Sequence, residues 1–275
     1  MAALAACGSG DDAPDRAGSQ FEPIYAFDTA DYHSLALSPT DAGVVLFGHH
    51  GGVQMSRDSG GRWETAIDEQ GRDAMNLAYN PLAPESVYMA GHSVYYKSRD
   101  AGQTWEPVDS NLPGLDLHAF GMSPTQDGRA YAYAVGFGLF RSEDGGATWK
   151  LQDPSAPQGT NSILELMDGT IIIGATDQGI LRSDDGGITW AQSRNGIDVG
   201  VIYAVKGDPE GARLYAGTDN GLYSSTDGGQ TWEATAMDNT WVVTIGVNPN
   251  DPNEVLVIDR NGELFRSRDG GQTWG

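Results

Sequence analysis

Six copies of one short segment recur along the chain at nearly regular intervals. Each copy reads Ser-x-Asp-x-Gly-x-Thr-Trp, except that Arg62 replaces the threonine in the first. The tryptophans of successive copies are 42, 44, 41, 42 and 42 residues apart and include six of the seven tryptophans in the chain. Such a period is the signature of a repeat architecture, in which each unit packs against its neighbours. The segments are Ser56–Trp63, Ser98–Trp105, Ser142–Trp149, Ser183–Trp190, Ser225–Trp232 and Ser267–Trp274.

Every shared position has a physical role in a turn. The aspartate accepts hydrogen bonds from backbone N–H groups ahead of it, and the glycine supplies a positive φ. The serine helps to satisfy the turn backbone, and the tryptophan is a large apolar anchor between neighbouring sheets. The serines are Ser56, Ser98, Ser142, Ser183, Ser225 and Ser267, and the aspartates are Asp58, Asp100, Asp144, Asp185, Asp227 and Asp269. The glycines are Gly60, Gly102, Gly146, Gly187, Gly229 and Gly271, and the tryptophans are Trp63, Trp105, Trp149, Trp190, Trp232 and Trp274.

Each unit contains four short β-prone stretches separated by turn residues. In the fifth unit these are 201–205, 214–218, 221–225 and 231–235. This spacing predicts an all-β fold, a six-bladed β-propeller of four-stranded antiparallel blades, over residues 21–275. The last unit has barely any outer strand, whereas residues 21–27 are a surplus β-like stretch. We therefore expect residues 21–27 to close the ring as the outer strand of the last blade and to cover its edge.

Residues 1–20 have a different composition from the repeats. The segment Leu4-Ala5-Ala6-Cys7 resembles a bacterial lipobox, in which the cysteine is acylated, and we interpret it as the end of a truncated signal peptide. The following Gly, Ser, Asp, Ala and Pro residues favour a flexible tether. This resemblance implies a location in the cell envelope, lipid-anchored through Cys7 on the outer side of the cytoplasmic membrane, or secretion.

The charge balance excludes several classes of partner. Lys and Arg number 16 against 38 Asp and Glu, a net charge of −22, which repels phosphate backbones and anionic lipid headgroups. We therefore expect no nucleic-acid binding and no membrane contact apart from a lipid anchor. With a single cysteine, an internal disulfide or a cysteine-rich metal site cannot form.

The repeated segment is similar to the Asp-box, or BNR, repeat of sialidases, sortilin-type receptors and the propellers that assist photosystem II assembly. Together with the lipobox and the segments Gly48-His49-His50 and Gly91-His92, it most resembles small bacterial lipoproteins nominally labelled glycosyl hydrolases. The resemblance implies a propeller and a structural role for the boxes. It implies no catalytic residue in them.

The five histidines are predicted to share one end of the propeller. We call the end where each inner strand begins the upper face; the boxes then lie on the lower face. His33 and His118 each stand six residues before a proline, and His50 and His92 each stand six residues before a box serine, with His49 adjacent. Convergence of His33, His50, His92 and His118 would make a zinc or copper site, with Asp116 as an oxygen donor. The alternative is that these side chains are hydrogen-bonded residues of the propeller end.

A second group of candidates concerns carboxylates. Glu165 lies in an inner strand between leucines, so it faces the axial channel or is buried. Asp73, Asp116 and Asp259, near the upper mouth, are candidate partners for it in a glycoside hydrolase. The other interpretation of Glu165 is a channel-lining residue paired with Lys206. Trp241 and Arg260 are additional ligand-binding candidates near the upper mouth. Because most arginines lie beside the boxes, the three-arginine carboxylate site that a sialidase resemblance would require is not expected.

The sequence thus favours an envelope binding module for a protein or a glycan, with no required cofactor. Two alternatives stay open: a glycoside hydrolase that uses Glu165 with an upper-face aspartate, and a metal-binding protein that uses the histidines.

Overall fold

Glycine-rich turns separate short runs of β-branched and aromatic residues throughout the repeats. A computed structural model describes residues 20–29, 31–197 and 200–275, where these runs form 22 β-strands and no helix. None of the described residues forms a helix long and apolar enough to cross a membrane. Cys7 and residues 8–19 of the predicted tether lie outside the described residues.

The strands are as follows. The first eleven are β1 (Tyr25–Ala26), β2 (Ser34–Leu37), β3 (Val45–Ser56), β4 (Glu64–Asn80), β5 (Ala83–His92), β6 (Val94–Ser98), β7 (Glu106–Pro107), β8 (Leu117–Met122), β9 (Ala130–Ala134), β10 (Gly138–Ser142) and β11 (Lys150–Asp153). The others are β12 (Thr160–Glu165), β13 (Ile171–Ala175), β14 (Gly179–Ser183), β15 (Ala191–Gln192), β16 (Ile202–Gly207), β17 (Leu214–Thr218), β18 (Gly221–Ser225), β19 (Glu233–Asp238), β20 (Val242–Asn248), β21 (Asp251–Asp259) and β22 (Glu263–Ser267).

The strands form four antiparallel sheets of four strands and one sheet of six. The four-stranded blades have the orders β8-β9-β10-β11, β12-β13-β14-β15, β16-β17-β18-β19 and β20-β21-β22-β1. In the remaining sheet the order is β2-β3-β4-β5-β6-β7, so the first two repeats share one sheet.

The expectation of six separate four-stranded blades is therefore wrong: the propeller has four such blades and one six-stranded sheet. The reason is that β4 is a single 17-residue strand. It pairs with β3 from Met55↔Glu64 to His50↔Asp73 and with β5 from Asp73↔His92 to Asn80↔Ala83. Because one strand is hydrogen-bonded on both sides, no boundary separates the first two repeats.

The inner strands β2, β4, β8, β12, β16 and β20 pack against one another in cyclic order, and β20 lies against β2 to close the ring. Polar side chains tie several of them together. Ser34 Oγ accepts a hydrogen bond from the Leu77 N–H (2.9 Å), and Ser162 Oγ accepts one from the Val205 N–H (3.0 Å). Each bond satisfies a buried backbone N–H of the next inner strand, which forms no ladder with the strand that carries the serine.

The last blade obtains its outer strand from the start of the described chain. β1 pairs antiparallel with β22 through Tyr25↔Leu264 and Ala26↔Glu263. Just beyond it, Phe27 is buried against Phe47, with ring centroids 4.1 Å apart. The expectation that residues 21–27 contribute this strand is confirmed for Tyr25–Ala26.

The Asp-boxes have the hydrogen bonds that the motif predicts. In the third box, Asp144 Oδ1 accepts bonds from Ser142 Oγ (2.8 Å) and the Thr148 N–H (2.8 Å), while Oδ2 accepts one from Thr148 Oγ1 (2.5 Å). These bonds, chiefly the one from the Thr148 hydroxyl, lower the pKa of Asp144 to about 2. Gly146 has φ +85°, and the buried Trp149 packs on Phe120 of its own blade and on Tyr95 of the neighbouring six-stranded sheet.

Candidate functional site

Backbone pairing brings four titratable residues into a row on the upper face. Asp73 of β4 lies opposite His50 on β3 and opposite His92 on β5. His92 in turn bridges to Asp116, just before β8. The row therefore runs from the first repeat to the third. Its first three residues, His50, Asp73 and His92, are direct neighbours because their strands pair in the six-stranded sheet.

The side chains of this row contact one another, and His118 joins them. Asp73 Oδ2 lies 2.7 Å from His92 Nδ1, and its other oxygen contacts Nδ1 of His50. His92 Nε2 lies 3.0 Å from Asp116 Oδ1 and 3.0 Å from His118 Nε2, which is 3.1 Å from the same Asp116 oxygen. Nε2 of His92, Oδ1 of Asp116 and Nε2 of His118 could hold a metal ion together. We call His50, Asp73, His92, Asp116 and His118 the histidine–aspartate cluster.

Glycine at position 91 is what allows β5 to approach Asp73. A Cβ atom at this position would lie 1.9 Å from the Asp73 carbonyl oxygen and 2.7 Å from the Met75 nitrogen. Gly48 has the same role on β3, where a Cβ would lie 2.3 Å from the Ala74 oxygen. The Gly48-His49-His50 and Gly91-His92 segments therefore combine a close backbone approach with an imidazole one or two residues later.

The other two predicted histidines lie beside the cluster but outside the group of three donor atoms. Burial lowers the pKa of His33, and its charge interactions with Asp73, His92 and His50 show that it lies near them. Nδ1 of His49 lies 2.8 Å from the His50 carbonyl oxygen, and its ring stacks on Phe47. Burial also lowers the pKa of His118. Of the four histidines predicted to bind a metal, His92 and His118 thus have donor atoms that meet with Asp116, whereas His33 and His50 lie outside this group of donors.

Trp241 and Arg260 lie together at the start of β20 and the end of β21. The Arg260 guanidinium stacks 4.7 Å from the Trp241 ring, and its backbone N–H donates to the Trp241 carbonyl oxygen (3.0 Å). The ring of Tyr203, a residue of the adjacent inner strand β16, has its centroid 6.2 Å from that of Trp241. These residues belong to the upper face, in the sector of the fifth and sixth repeats.

Sequence reasoning missed two exposed apolar side chains on this face. Leu115 is 38% exposed and directly precedes Asp116; Phe137 is 48% exposed in the turn between β9 and β10. The Val135 N–H donates to the Asp116 carbonyl oxygen (2.9 Å), which holds this turn beside the cluster. Isolated apolar residues in turns carry no sequence signal, because only the fold decides whether they are covered.

Glu165 and Asp116 lie at opposite ends of the axial channel, so the structure does not bring the predicted catalytic pair together. Glu165 ends β12, where Oε1 accepts a hydrogen bond from Thr125 Oγ1 (3.3 Å) and faces Arg129 at 3.5 Å. Thr125 follows β8, whereas Asp116 precedes it, and a six-residue strand is about 20 Å long. Two carboxyls that act on one glycosidic bond lie within about 10 Å of each other.

A cavity of about 190 Å³ occupies the lower end of the channel. Glu165 and Lys206 both line it, but Glu165 pairs with Arg129 and not with Lys206. Burial alone lowers the pKa of Lys206 to about 8. The prolines that follow the inner strands complete the rim: Pro39, Pro81, Pro124, Pro209 and Pro249.

The arginines beside the boxes are engaged by acidic side chains. Each of them pairs with Asp or Glu at 2.8–3.8 Å; they are Arg57, Arg99, Arg141, Arg182, Arg266 and Arg268. These six arginines therefore do not form a carboxylate-binding trio.

One further sequence signal places Asp73, already a carboxylate candidate, beside the histidines. Asp31, Asp73 and Asp116 each stand two residues before the equivalent inner-strand positions His33, Met75 and His118. This repeated spacing places an aspartate at the upper start of the first three inner strands.

Comparison with known proteins agrees with this architecture. The family described as BNR/Asp-box repeat matches residues 181–192 and 223–234. The chain is an all-β propeller with BNR/Asp-box repeats. The sequence matches none of the curated proteins with which it was compared.

Solved structures share the fold at low sequence identity. YCF48 bound to D1 peptide is 18% identical with a TM-score of 0.58, over 91% of this chain and 83% of that one. YCF48 from Cyanidioschyzon merolae is 17% identical with a TM-score of 0.60, over 92% and 87%. The GH74 xyloglucanase from Xanthomonas campestris is 17% identical with a TM-score of 0.64, over 94% of this chain but only 46% of the enzyme.

Proposed function

We propose that this propeller is a protein-binding module that takes an extended segment of another protein on its upper face. The observation that carries the proposal is the position of the exposed Leu115 and Phe137 beside the half-exposed histidine–aspartate cluster. Apolar side chains surrounded by hydrogen-bonding groups are typical of protein interfaces. Of the solved structures, the YCF48 complex is with a peptide, and this chain spans most of that protein.

The charge of the module selects the partner. The chain has a net charge of −22, and the Asp116 side chain is 53% exposed on the upper face. A segment with Lys or Arg next to apolar residues would match both the field and the contact surface.

A glycan is the weaker candidate because Trp241 is already engaged. Aromatic rings bind sugars through an open face, but Arg260 stacks on this ring and Tyr203 lies on its neighbouring strand. Glycoside hydrolysis is weaker still, since Glu165 and Asp116 lie at opposite ends of the channel.

Fluorescence-polarisation binding of a library of short synthetic peptides tests the proposal. We expect the bound peptides to combine basic and apolar residues, and a Leu115→Ser/Phe137→Ser variant to bind at least about tenfold more weakly, a loss of ~1.4 kcal/mol. The matched control is Leu151→Ser/Ile188→Ser, because those side chains are 50% and 59% exposed outside the upper face. Equal losses in the two variants, or binding of glycans and no peptides, would overturn the proposal.

We also propose that the module acts in the cell envelope, anchored through Cys7. The support is the Leu4-Ala5-Ala6-Cys7 segment and the tether composition after it. Labelling of the expressed protein with a clickable fatty acid should depend on Cys7 and vanish in Cys7→Ser. Equal labelling of both proteins would reject the anchor.

A further inference from the structure

The three donor atoms that meet on the upper face have the arrangement of a metal site. Nε2 of His92, Nε2 of His118 and Oδ1 of Asp116 form a nearly equilateral triangle with edges of 3.0, 3.0 and 3.1 Å. Around a tetrahedral zinc ion with bonds of about 2.0–2.1 Å, neighbouring donors are about 3.3 Å apart. An outward adjustment of about 0.3 Å per edge would therefore complete the coordination geometry.

Asp73 fixes which nitrogen of His92 faces the triangle. A carboxylate only accepts hydrogen bonds, so its contact at 2.7 Å requires a proton on Nδ1 of His92. In the neutral ring, Nε2 then carries a lone pair and points it at the Asp116 oxygen and at His118. Carboxylate–histidine pairs of this kind orient metal ligands and raise their basicity.

A cation suits this convergence of donor atoms when His92 is neutral. The Asp116 oxygen and the neutral His92 Nε2 are both acceptors and lie 3.0 Å apart. The Nε2 proton that a neutral His118 can contribute cannot be directed fully at both acceptors. A divalent ion above the triangle would satisfy all three lone pairs.

We propose that His92, Asp116 and His118 bind one divalent transition-metal ion of the zinc class, with Asp73 as the positioning residue. Two imidazoles and one carboxylate suit Zn²⁺ or Cu²⁺ and disfavour Ca²⁺ and Mg²⁺, which prefer oxygen ligands. The ligand side chains are 33–53% exposed, so the fourth coordination position faces solvent. It is open to water or to a side chain of a bound protein.

Calorimetric titration of the chelator-treated full-length protein with Zn²⁺ tests the site. We expect one equivalent to bind in the wild type, and His92→Ala/His118→Ala to lose at least about 100-fold in affinity. Asp73→Asn keeps an acceptor for Nδ1 but removes the charge, so we expect a loss of about 10–100-fold. His49→Ala is the matched control, because His49 adjoins the cluster without entering the triangle, and should bind as the wild type does.

Two further readouts separate a built site from weak ion binding to an acidic surface. The Co²⁺-loaded protein should show the intense visible absorption of four-coordinate cobalt, and excess Ca²⁺ should not displace the metal. Circular dichroism melting of the metal-free variants checks that they are folded. No stoichiometric Zn²⁺ binding by the wild type, unchanged binding by folded His92→Ala/His118→Ala, or an equal loss in His49→Ala would overturn the proposal. None of these measurements depends on a peptide partner, so the site and the proposed binding function stand or fall separately.

Discussion

Asp73 lies opposite His92 in the ladder between β4 and β5, and its Oδ2 is 2.7 Å from Nδ1 of that imidazole. The backbone register and the side-chain contact thus reinforce each other. Because β4 is hydrogen-bonded on both sides, the backbone of Asp73 can move only if the six-stranded sheet is distorted. The position of this one side chain therefore depends on the continuity of a strand that begins in the first repeat and ends in the second.

Gly91→Ala should disturb this arrangement. The new methyl group would lie 1.9 Å from the Asp73 carbonyl oxygen, so β5 must move away from β4. We expect a loss of about 1–3 kcal/mol in the free energy of unfolding, as for other overpacked sites, together with weaker Zn²⁺ binding. Gly114→Ala is the control, since its methyl group would meet only the Phe137 ring at an ordinary 3.6 Å. Denaturant titration of both variants decides the matter, and equal stabilities would contradict the steric argument.

Lys206→Met should stabilise the protein at neutral pH. Burial lowers the pKa of Lys206 from 10.5 to about 8, and no acidic side chain of the described residues forms an ion pair with it. Below pH 8 the folded and unfolded states both carry the charge, so its burial cost is fully present. Between about pH 8 and 10.5 the unfolded state binds more protons, so the cost falls as the pH rises.

At pH 7, Lys206→Met should raise the free energy of unfolding by at most about 3 kcal/mol, from ~1.4 kcal/mol per pKa unit. The increase is smaller if water reaches the ammonium group of Lys206 through the cavity. Urea unfolding of the two proteins at pH 7, 9 and 10.5 measures it. The difference should shrink over this range. A difference that stays constant would mean that the methionine stabilises by packing alone.

Arg62→Thr should strengthen the first Asp-box. Here the Arg62 N–H donates to Asp58 Oδ1 (2.8 Å), but the hydroxyl bond that Thr148 makes to Asp144 has no counterpart. A restored hydroxyl should add about 0.5–1 kcal/mol to the free energy of unfolding. Arg62→Val has the same branched shape without the hydroxyl and serves as the control. Equal effects of the two substitutions would assign any gain to the loss of arginine.

Phe27→Ala should loosen the closure of the ring. Phe27 is buried, with its ring centroid 4.1 Å from Phe47 and 5.0 Å from Trp63, and it follows the strand that covers β22. Loss of a buried phenylalanine costs about 3–5 kcal/mol, so thermal melting should occur well below the wild-type temperature. Glu22→Ala, at an exposed position in the same segment, should melt like the wild type. An unchanged melting temperature for Phe27→Ala would show that this segment adds little to closure.

The sequence predicted the boxes because their chemistry is local. In the third box the serine, aspartate, glycine and threonine that bond to one another lie within eight residues, so the motif alone specifies the turn. The upper-face location of His50, His92 and His118 was also predictable, because register within a repeat carries each residue to one end of its strand. The repeated spacing of Asp31, Asp73 and Asp116 also indicates that carboxylates, which accept hydrogen bonds from these histidines, lie at the same end.

The sequence by itself determined the repeat, the turns and the end of the molecule at which the histidines lie, since each depends on interactions within a few residues. Only the tertiary structure decided that β4 joins the first two repeats in one sheet, that Asp73 contacts both His50 and His92, and that Glu165 pairs with Arg129 far from Asp116. These outcomes depend on strand pairing and packing between distant segments. The free energy of such pairing comes from the whole assembled ring, and no short stretch of residues encodes it.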